Sequence, residues 1–253
     1  MAIAALLAAT LLANLVVGVL LLRGAFSGSS SAGPKTAAIV DQLGLTQPNP
    51  SFAQIAGGIL DQAGYTADYY PGEQVTVDFY RDLPSYDYDL LILRVHSAIA
   101  TGIDADTGEQ IETEYLGLFS SEPFDAEKYP KGQLRGLGKA SYYDGASPLF
   151  GVASEFIRYS MRGGFDGATV LMMGCDGLTM DATAEAFVDK GAKAVVGWSG
   201  RVSAKHTDAA TEALLRHLLL ERLSPGDAVA RTMAEVGRDP TYGSRLVVYP
   251  SGG

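Results

Sequence analysis

With 253 residues, 47% of them hydrophobic and 19% charged, the chain is long and apolar enough to bury a core, which excludes a disordered or low-complexity protein. Its formal charge of −10 excludes a nucleic-acid binder, because phosphate recognition needs a concentrated basic surface. One cysteine and three histidines exclude an intrachain disulfide framework and cysteine-rich zinc modules; no metal or cofactor is expected.

Residues 3–22 are uncharged and nearly all apolar, a run that matches the hydrocarbon thickness of a bilayer. The expectation is an N-terminal transmembrane helix, a signal anchor over residues 1–23. A cleaved signal peptide is the alternative, with Ser30-Ser31-Ala32 as its small-residue cleavage site. Arg23 alone does not fix which side of the membrane the remainder occupies. Residues 24–35 are rich in Gly and Ser and read as a flexible tether. The folded domain then spans residues 36–253. Only Arg23 and Lys35 precede it, so it carries all 29 acids against two fewer basic groups than the chain's 19, a formal −12.

Within the domain, short continuous apolar runs alternate with stretches of helical periodicity. The runs are Ala37-Ala38-Ile39-Val40, Leu90-Leu91-Ile92-Leu93, Thr169-Val170-Leu171-Met172-Met173 and Ala194-Val195-Val196-Gly197-Trp198. Apolar residues at successive positions mark strands covered on both faces, hence a parallel sheet. Helices are predicted over residues 51–63, 149–161, 182–190, 207–221 and 227–236. Gly64, Gly191 and Gly237 stand at their C-caps, and Ser224-Pro225 opens the last one. The fold class expected is α/β, a three-layer α/β/α sandwich with a mostly parallel central sheet preceded by one transmembrane helix. Residues 103–147 fit less well and read as an insertion, with a hairpin over 104–114 and Gly-rich loop over 129–147. Asp104-Ala105-Asp106-Thr107-Gly108-Glu109 resembles the start of a calcium loop, but its remaining ligands are out of register, so a hairpin turn is expected instead.

In open α/β sheets, ligands bind beyond the carboxyl ends of the strands. Two runs carry reactive side chains there: Leu93-Arg94-Val95-His96-Ser97 and Met173-Gly174-Cys175-Asp176-Gly177. Were their strands neighbours, His96 and Cys175 would share a crevice and form a dyad in which the imidazole takes the thiol proton. Backbone amides near Cys175 and Ser97 would bind an oxyanion, with Gly174 and Gly177 permitting close approach of a substrate. The alternative is a buried structural thiol and an ordinary strand-end histidine.

A strand ending in His and a small residue, then a later strand ending in Cys-x-Gly, resembles the caspase-like cysteine peptidases (clan CD), which include caspases, gingipain, clostripain and the CHAT and separase branches. The resemblance covers residues 36–250 by element order. It implies His96 as general base, Cys175 as nucleophile, Gly177 as the glycine after the nucleophile, and a peptide or protein substrate. Residues 191–198, the long helix after them and Asp227-Ala228-Val229 are similar to the C-terminal half of CHAT domains. Two positions depart from the pattern: Ser97 stands where the family usually has Gly, and Met173 where many members carry an acid.

Two further readings remain open. A class I amidotransferase-like hydrolase would pair Cys175 with His206, although Met173 breaks its G-x-C-x-G elbow; Thr207 or Asp208 capping a helix is the simpler account of that stretch. A catalytically inactive caspase-like domain would use the crevice or the C-terminal helices to bind or scaffold a partner. Asp176, Trp198, Arg201, His206 and Asp208 are candidates to line the substrate pocket, Trp198 equally a core residue. His217, in mid-helix between leucines, is expected to be structural.

Overall fold

The computed structural model describes residues 33–103 and 110–250. The expected membrane segment, most of the tether and the Asp104–Glu109 turn lie outside the described residues. Among the described residues, no helix is long and apolar enough to cross a membrane. The boundary of the compact unit falls between Pro34 and Lys35.

The chain runs through β1 (Lys35–Asp41), α1 (Pro50–Gln62), β2 (Tyr65–Pro71), α2 (Val77–Asp82) and β3 (Leu90–Leu93). It continues through β4 (Ser97–Ile103), β5 (Gln110–Pro123), a single turn α3 (Pro130–Gln133), β6 (Leu137–Ala140) and β7 (Leu149–Val152). The remainder is α4 (Ser154–Ser160), β8 (Thr169–Met172), α5 (Ala182–Asp189), β9 (Ala194–Trp198), α6 (Ala204–Leu215), α7 (Pro225–Val236) and β10 (Leu246–Tyr249). Six strands form a mixed, mostly parallel sheet in the order β10-β9-β8-β3-β1-β2, with β10 antiparallel at one edge. A second, antiparallel sheet has the order β4-β5-β7-β6.

The continuous apolar runs follow from burial on both sides. Ala38 and Val40, Leu91 and Leu93, and Val170 and Met172 face one core, while Ala37 and Ile39, Leu90 and Ile92, and Leu171 face the other. The second core is closed by α1, α6 and α7 through Phe52, Ala56, Leu60, Ala210, Leu214 and Ala228. The first is closed by α2, α4 and α5 together with the inner face of the small sheet, through Tyr80, Phe156, Phe187, Leu118, Phe150 and Val152. Each buried Val, Leu, Ile, Met or Phe side chain among these contributes about 1.5–3 kcal/mol and each alanine about 0.8 kcal/mol, and alternate residues of one strand serve different layers.

Local signals set the helix ends. The Asn49 side chain accepts from the Phe52 amide before Pro50 at the start of α1, and Ser224 does the same for Asp227 before Pro225 in α7. At the far ends Gly64 (φ +81°), Gly191 (φ +100°) and Gly237 (φ +74°) take positive φ, which carries little cost only for glycine.

Several expectations need correction. Residues 149–161 form β7 and α4, not one helix, because Phe150 and Val152, two apart, both enter the core while β7 pairs with β5 and β6. The stretch 129–147 holds α3 and β6 as well as loop. Strand β2 has no continuous apolar run, being a sheet edge with residues 66–69 exposed, and its tyrosines and threonine suit a pleated half-covered surface. The helix expected at 207–221 starts at Ala204 and passes into a π-helical turn over Arg216–Leu220. There His217 is buried and its two ring nitrogens meet Glu221 and Glu235, each at 2.9 Å.

Candidate active site

Strands β2 and β3 lie on opposite sides of β1, so the connections reverse direction there, and in such sheets a crevice opens beyond the carboxyl ends. Strands β3 and β8 are parallel neighbours in which Leu93 pairs with Met172. Three residues beyond that pair stand His96 and Cys175, and both line one cavity of about 400 Å³. Its walls also include Leu43 and Gln47 from beyond β1 and Val202, Ser203 and Lys205 from beyond β9.

The turn that carries Cys175 is fixed by close approach. A Cβ on Gly174 would lie 2.2 Å from the Ser97 hydroxyl oxygen and 2.4 Å from the Val95 carbonyl oxygen, so only glycine fits. Asp176 then adopts φ +60°, a left-handed conformation that Asp tolerates better than most residues. The Asp176 amide donates to the Gly200 carbonyl at 2.9 Å, and the Leu178 amide to the Trp198 carbonyl at 2.8 Å. These bonds tie the turn to β9. The amides of Gly174 and Cys175 donate to no acceptor among the described residues.

Ser97, the first residue of β4, is paired with Leu118. Its hydroxyl donates to the Cys175 carbonyl at 2.5 Å. The Ser97 side chain thus latches the start of β4 to the turn that carries Cys175.

The Cys175 thiol donates to the Val202 carbonyl at 3.6 Å and accepts from the Val202 amide at 3.4 Å. Burial pushes its pKa up, with smaller upward pushes from Asp176 and Asp239; the Val202 amide and Arg201 pull the other way without cancelling it. Burial, aided by the Arg94 charge, lowers the His96 pKa to about 4. The resting pair at neutral pH is therefore a thiol and an uncharged imidazole. They share a cavity without hydrogen bonding to each other: His96 Nε2 lies 2.6 Å from the Thr46 hydroxyl, and its amide donates to Gln42 Oε1 at 3.0 Å. The imidazole is flanked by the rings of Tyr142 at 4.9 Å and Phe119 at 5.8 Å.

Arg94 holds the strand ends together. Fully buried, its guanidinium donates to both oxygens of Asp208 (2.8 and 2.9 Å), to Asp41 (2.6 Å) and to the Gln47 carbonyl (2.9 Å), and lies over the Phe52 ring. It thereby joins the end of β1, the end of β3 and α6. Asp239, buried, accepts from the Ser203 amide and hydroxyl and from the amides of Thr241 and Tyr242. Burial raises its pKa, but those four bonds outweigh burial and hold it at about 2. Asp239 so pins the loop whose Val202 grips the thiol.

Of the residues expected in the pocket, Trp198 is fully buried, and its indole N–H donates to the Thr207 hydroxyl, which donates to the Met173 carbonyl. Asp208 is 4% exposed and committed to Arg94. Neither is offered to a substrate, and neither Thr207 nor Asp208 caps α6, whose N-cap is Ser203. His206 packs on Trp198 and meets the Gly237 carbonyl at 3.3 Å, outside the wall that holds Cys175. Arg201 is exposed and lies over Tyr242, a cavity-lining ring, so it stands at the rim; Asp176 accepts from the Thr179 hydroxyl on the turn that carries Cys175. Among the described residues no three His, Cys, Asp or Glu side chains group as a metal site.

Gln42, Thr46, Arg94, Tyr142, Val202 and Asp239 were not among the residues singled out in the sequence. Arg94 left a signal: a charge directly on an all-apolar strand must find acids when buried, and Asp41 ends the neighbouring run. No protein-family model and no curated protein matches the chain.

Proposed function

We propose that the chain is a caspase-like cysteine endopeptidase, held at a membrane by the apolar segment 3–22, with Cys175 as nucleophile and His96 as base. The observation that carries this reading is the delivery of both side chains to one cavity by equivalent positions on adjacent parallel strands. A carbonyl carbon seated beside Cys175 is attacked by sulfur as the uncharged imidazole takes the thiol proton. A C–S bond forms while the carbonyl π pair moves to oxygen, where the unengaged amides of Gly174 and Cys175 face the developing charge. Collapse breaks the C–N bond, the amine leaves with the proton held by His96, and water hydrolyses the thioester.

The test is turnover of a positional-scanning peptide library by the full chain. Cys175→Ala is expected to abolish hydrolysis, and His96→Ala to lower kcat/KM by about 10²–10⁴-fold, the range for general acid–base catalysis. Turnover that survives Cys175→Ala would overturn the reading.

A second reading, a non-catalytic binding domain on the same fold, is favoured by one observation: the thiol is engaged by both backbone groups of Val202 and its pKa is raised. In that case no library member is cleaved and Cys175 reacts with a thiol probe only after unfolding. The amidotransferase-like alternative loses support because His206 faces Trp198 and the Gly237 carbonyl.

A further inference from the structure

We propose that the end of the large sheet at which β1 begins is a membrane-docking face, which seats Leu220 and its neighbouring leucines in the headgroup boundary of a bilayer carrying anionic lipid. The proposal rests on the membrane anchor proposed above and not on the peptidase chemistry.

The patch starts from helix geometry. Leu218, Leu219 and Leu220 are consecutive, and side chains on a helical turn advance by about 100° per residue, so three in a row cannot all face one core. Leu218 and Leu219 pack against the second core, and Leu220 is left 40% exposed. Leu218 and Leu219, with Leu223, also wall a hollow of about 380 Å³. The hollow lies at the amino ends of the strands: Leu90 and Thr169, which open β3 and β8, line it together with Lys193, immediately before β9.

Cations surround these leucines. Lys193 and Arg222 line the hollow, and Lys35 lies over the ring of Tyr65, which lines it too. All three are exposed, and none forms an ion pair among the described residues. The nearby acids are otherwise engaged: Asp89 accepts from the Thr36 amide, Glu221 meets His217, and Asp227 accepts from the Ser224 hydroxyl. Exposed leucines among unpaired cations match an anionic membrane surface, which takes apolar side chains at the acyl boundary and cations at its phosphates. A second copy of the chain is a poorer occupant, because a two-fold contact through this face would bring the same three cations together.

The point at which the chain enters agrees. The described residues begin at Gly33, two residues before β1, and Lys35 pairs with Tyr65 in β2, so segment 3–22 is joined to the domain at this end of the sheet. Residues 24–34 reach at most about 40 Å when fully extended, which keeps this end within reach of a bilayer that holds the segment. The Cys175 cavity opens beyond the opposite, carboxyl ends of the strands, separated by the length of β1 (Lys35–Asp41), about 20 Å. Docking therefore leaves the cavity facing water.

The test uses the full chain in vesicles of phosphatidylcholine alone or mixed with phosphatidylserine. An environment-sensitive fluorophore is attached at Leu220→Cys, or at Lys205→Cys beside the cavity, each in a Cys175→Ser background, and lipid spin-labelled near its headgroup is the quencher. Quenching is expected at position 220 and not at 205, stronger with phosphatidylserine and falling as salt is added. Replacing Lys35, Lys193 or Arg222 by Gln is expected to lower the ratio of docked to free domain about fivefold per charge; the salt titration probes the same attraction without a substitution. Equal quenching in both lipid mixtures, quenching at 205 as strong as at 220, or quenching at neither position overturns the proposal. Extraction of the chain from the vesicles by alkaline carbonate refutes the anchor instead, and quenching at 220 still decides the docking.

Discussion

At the scale of single residues, the site is defined by how two groups ionise. A thiol with raised pKa beside an imidazole with pKa about 4 is not a preformed thiolate–imidazolium pair, so the thiolate has to be made as the proton moves. The alkylation rate of Cys175 by chloroacetamide is accordingly expected to climb with pH through and beyond the ordinary thiol pKa of about 8.5. A rate plateau below neutral pH would contradict this, since only an ion pair produces one. Gly174 illustrates a different constraint. Gly174→Ala would press a methyl group against both the Ser97 hydroxyl and the Val95 carbonyl, and Ser97→Ala removes only the first of these. The glycine was legible in the sequence as a point of close approach, but the approach was expected from a substrate; the contact comes from the protein's own β3–β4 connection. Ser97 was read for its backbone amide and for standing in place of a glycine; what the structure adds is its hydroxyl, which donates to the Cys175 carbonyl.

At the scale of elements, Arg94 is the joint between β1, β3 and α6. Removing one member of a buried ionic group strands its partners without compensation, at a cost of about 3–5 kcal/mol. Arg94→Met, which leaves Asp41 and Asp208 buried without their cation, is therefore expected to lower the unfolding free energy by about that amount, measured as a shift in the urea midpoint. Arg94→Lys should not rescue it, because a single ammonium cannot reproduce the bidentate contact with Asp208 together with the bonds to Asp41 and Gln47. An unchanged midpoint in Arg94→Met would show that the two acids find water or protons at no cost. The same elements mark what could be read in advance. Strands β3 and β9 were legible to the residue and β8 to within one residue, because both of their faces are covered; the strand-end positions of His96 and Cys175 followed from β3 and β8, and the pairing of those two strands is what the structure adds. Strand β2 was not, because an edge strand needs no continuous apolar run. Asp208 and Thr207 were misjudged because polar residues near a helix start suit caps, surfaces and buried networks alike; only the position of Arg94 and of the Met173 carbonyl decides among these.

At the scale of the whole molecule, the groups that set the site also set its response to acid. His96 is depressed to about 4 from an ordinary value of 6.5, so between those pH values the unfolded chain binds a proton that the native protein does not. Stability from this group is complete above pH 6.5 and is lost as pH falls toward 4. Asp239, at about 2 instead of 3.8, adds a second and lower limb, lost as pH falls from about 3.8 toward 2. The domain's other acids complicate the total, since protonation relieves repulsion on a surface of formal charge −12 and groups such as Asp176, with a raised pKa, act in the opposite sense. Differences between variants cancel these contributions. Chemical denaturation of wild type and His96→Gln at pH 7, 5.5 and 4 is thus expected to give curves that converge as the pH drops, because only the wild type loses the imidazole's share. Asp239→Asn should lie below wild type at pH 7 and converge with it only below pH 4. Parallel curves for wild type and His96→Gln would mean that His96 titrates alike in both states, and hence that the imidazole is solvated in the native protein and not held in the apolar wall that the Tyr142 and Phe119 rings and the Thr46 contact build around it.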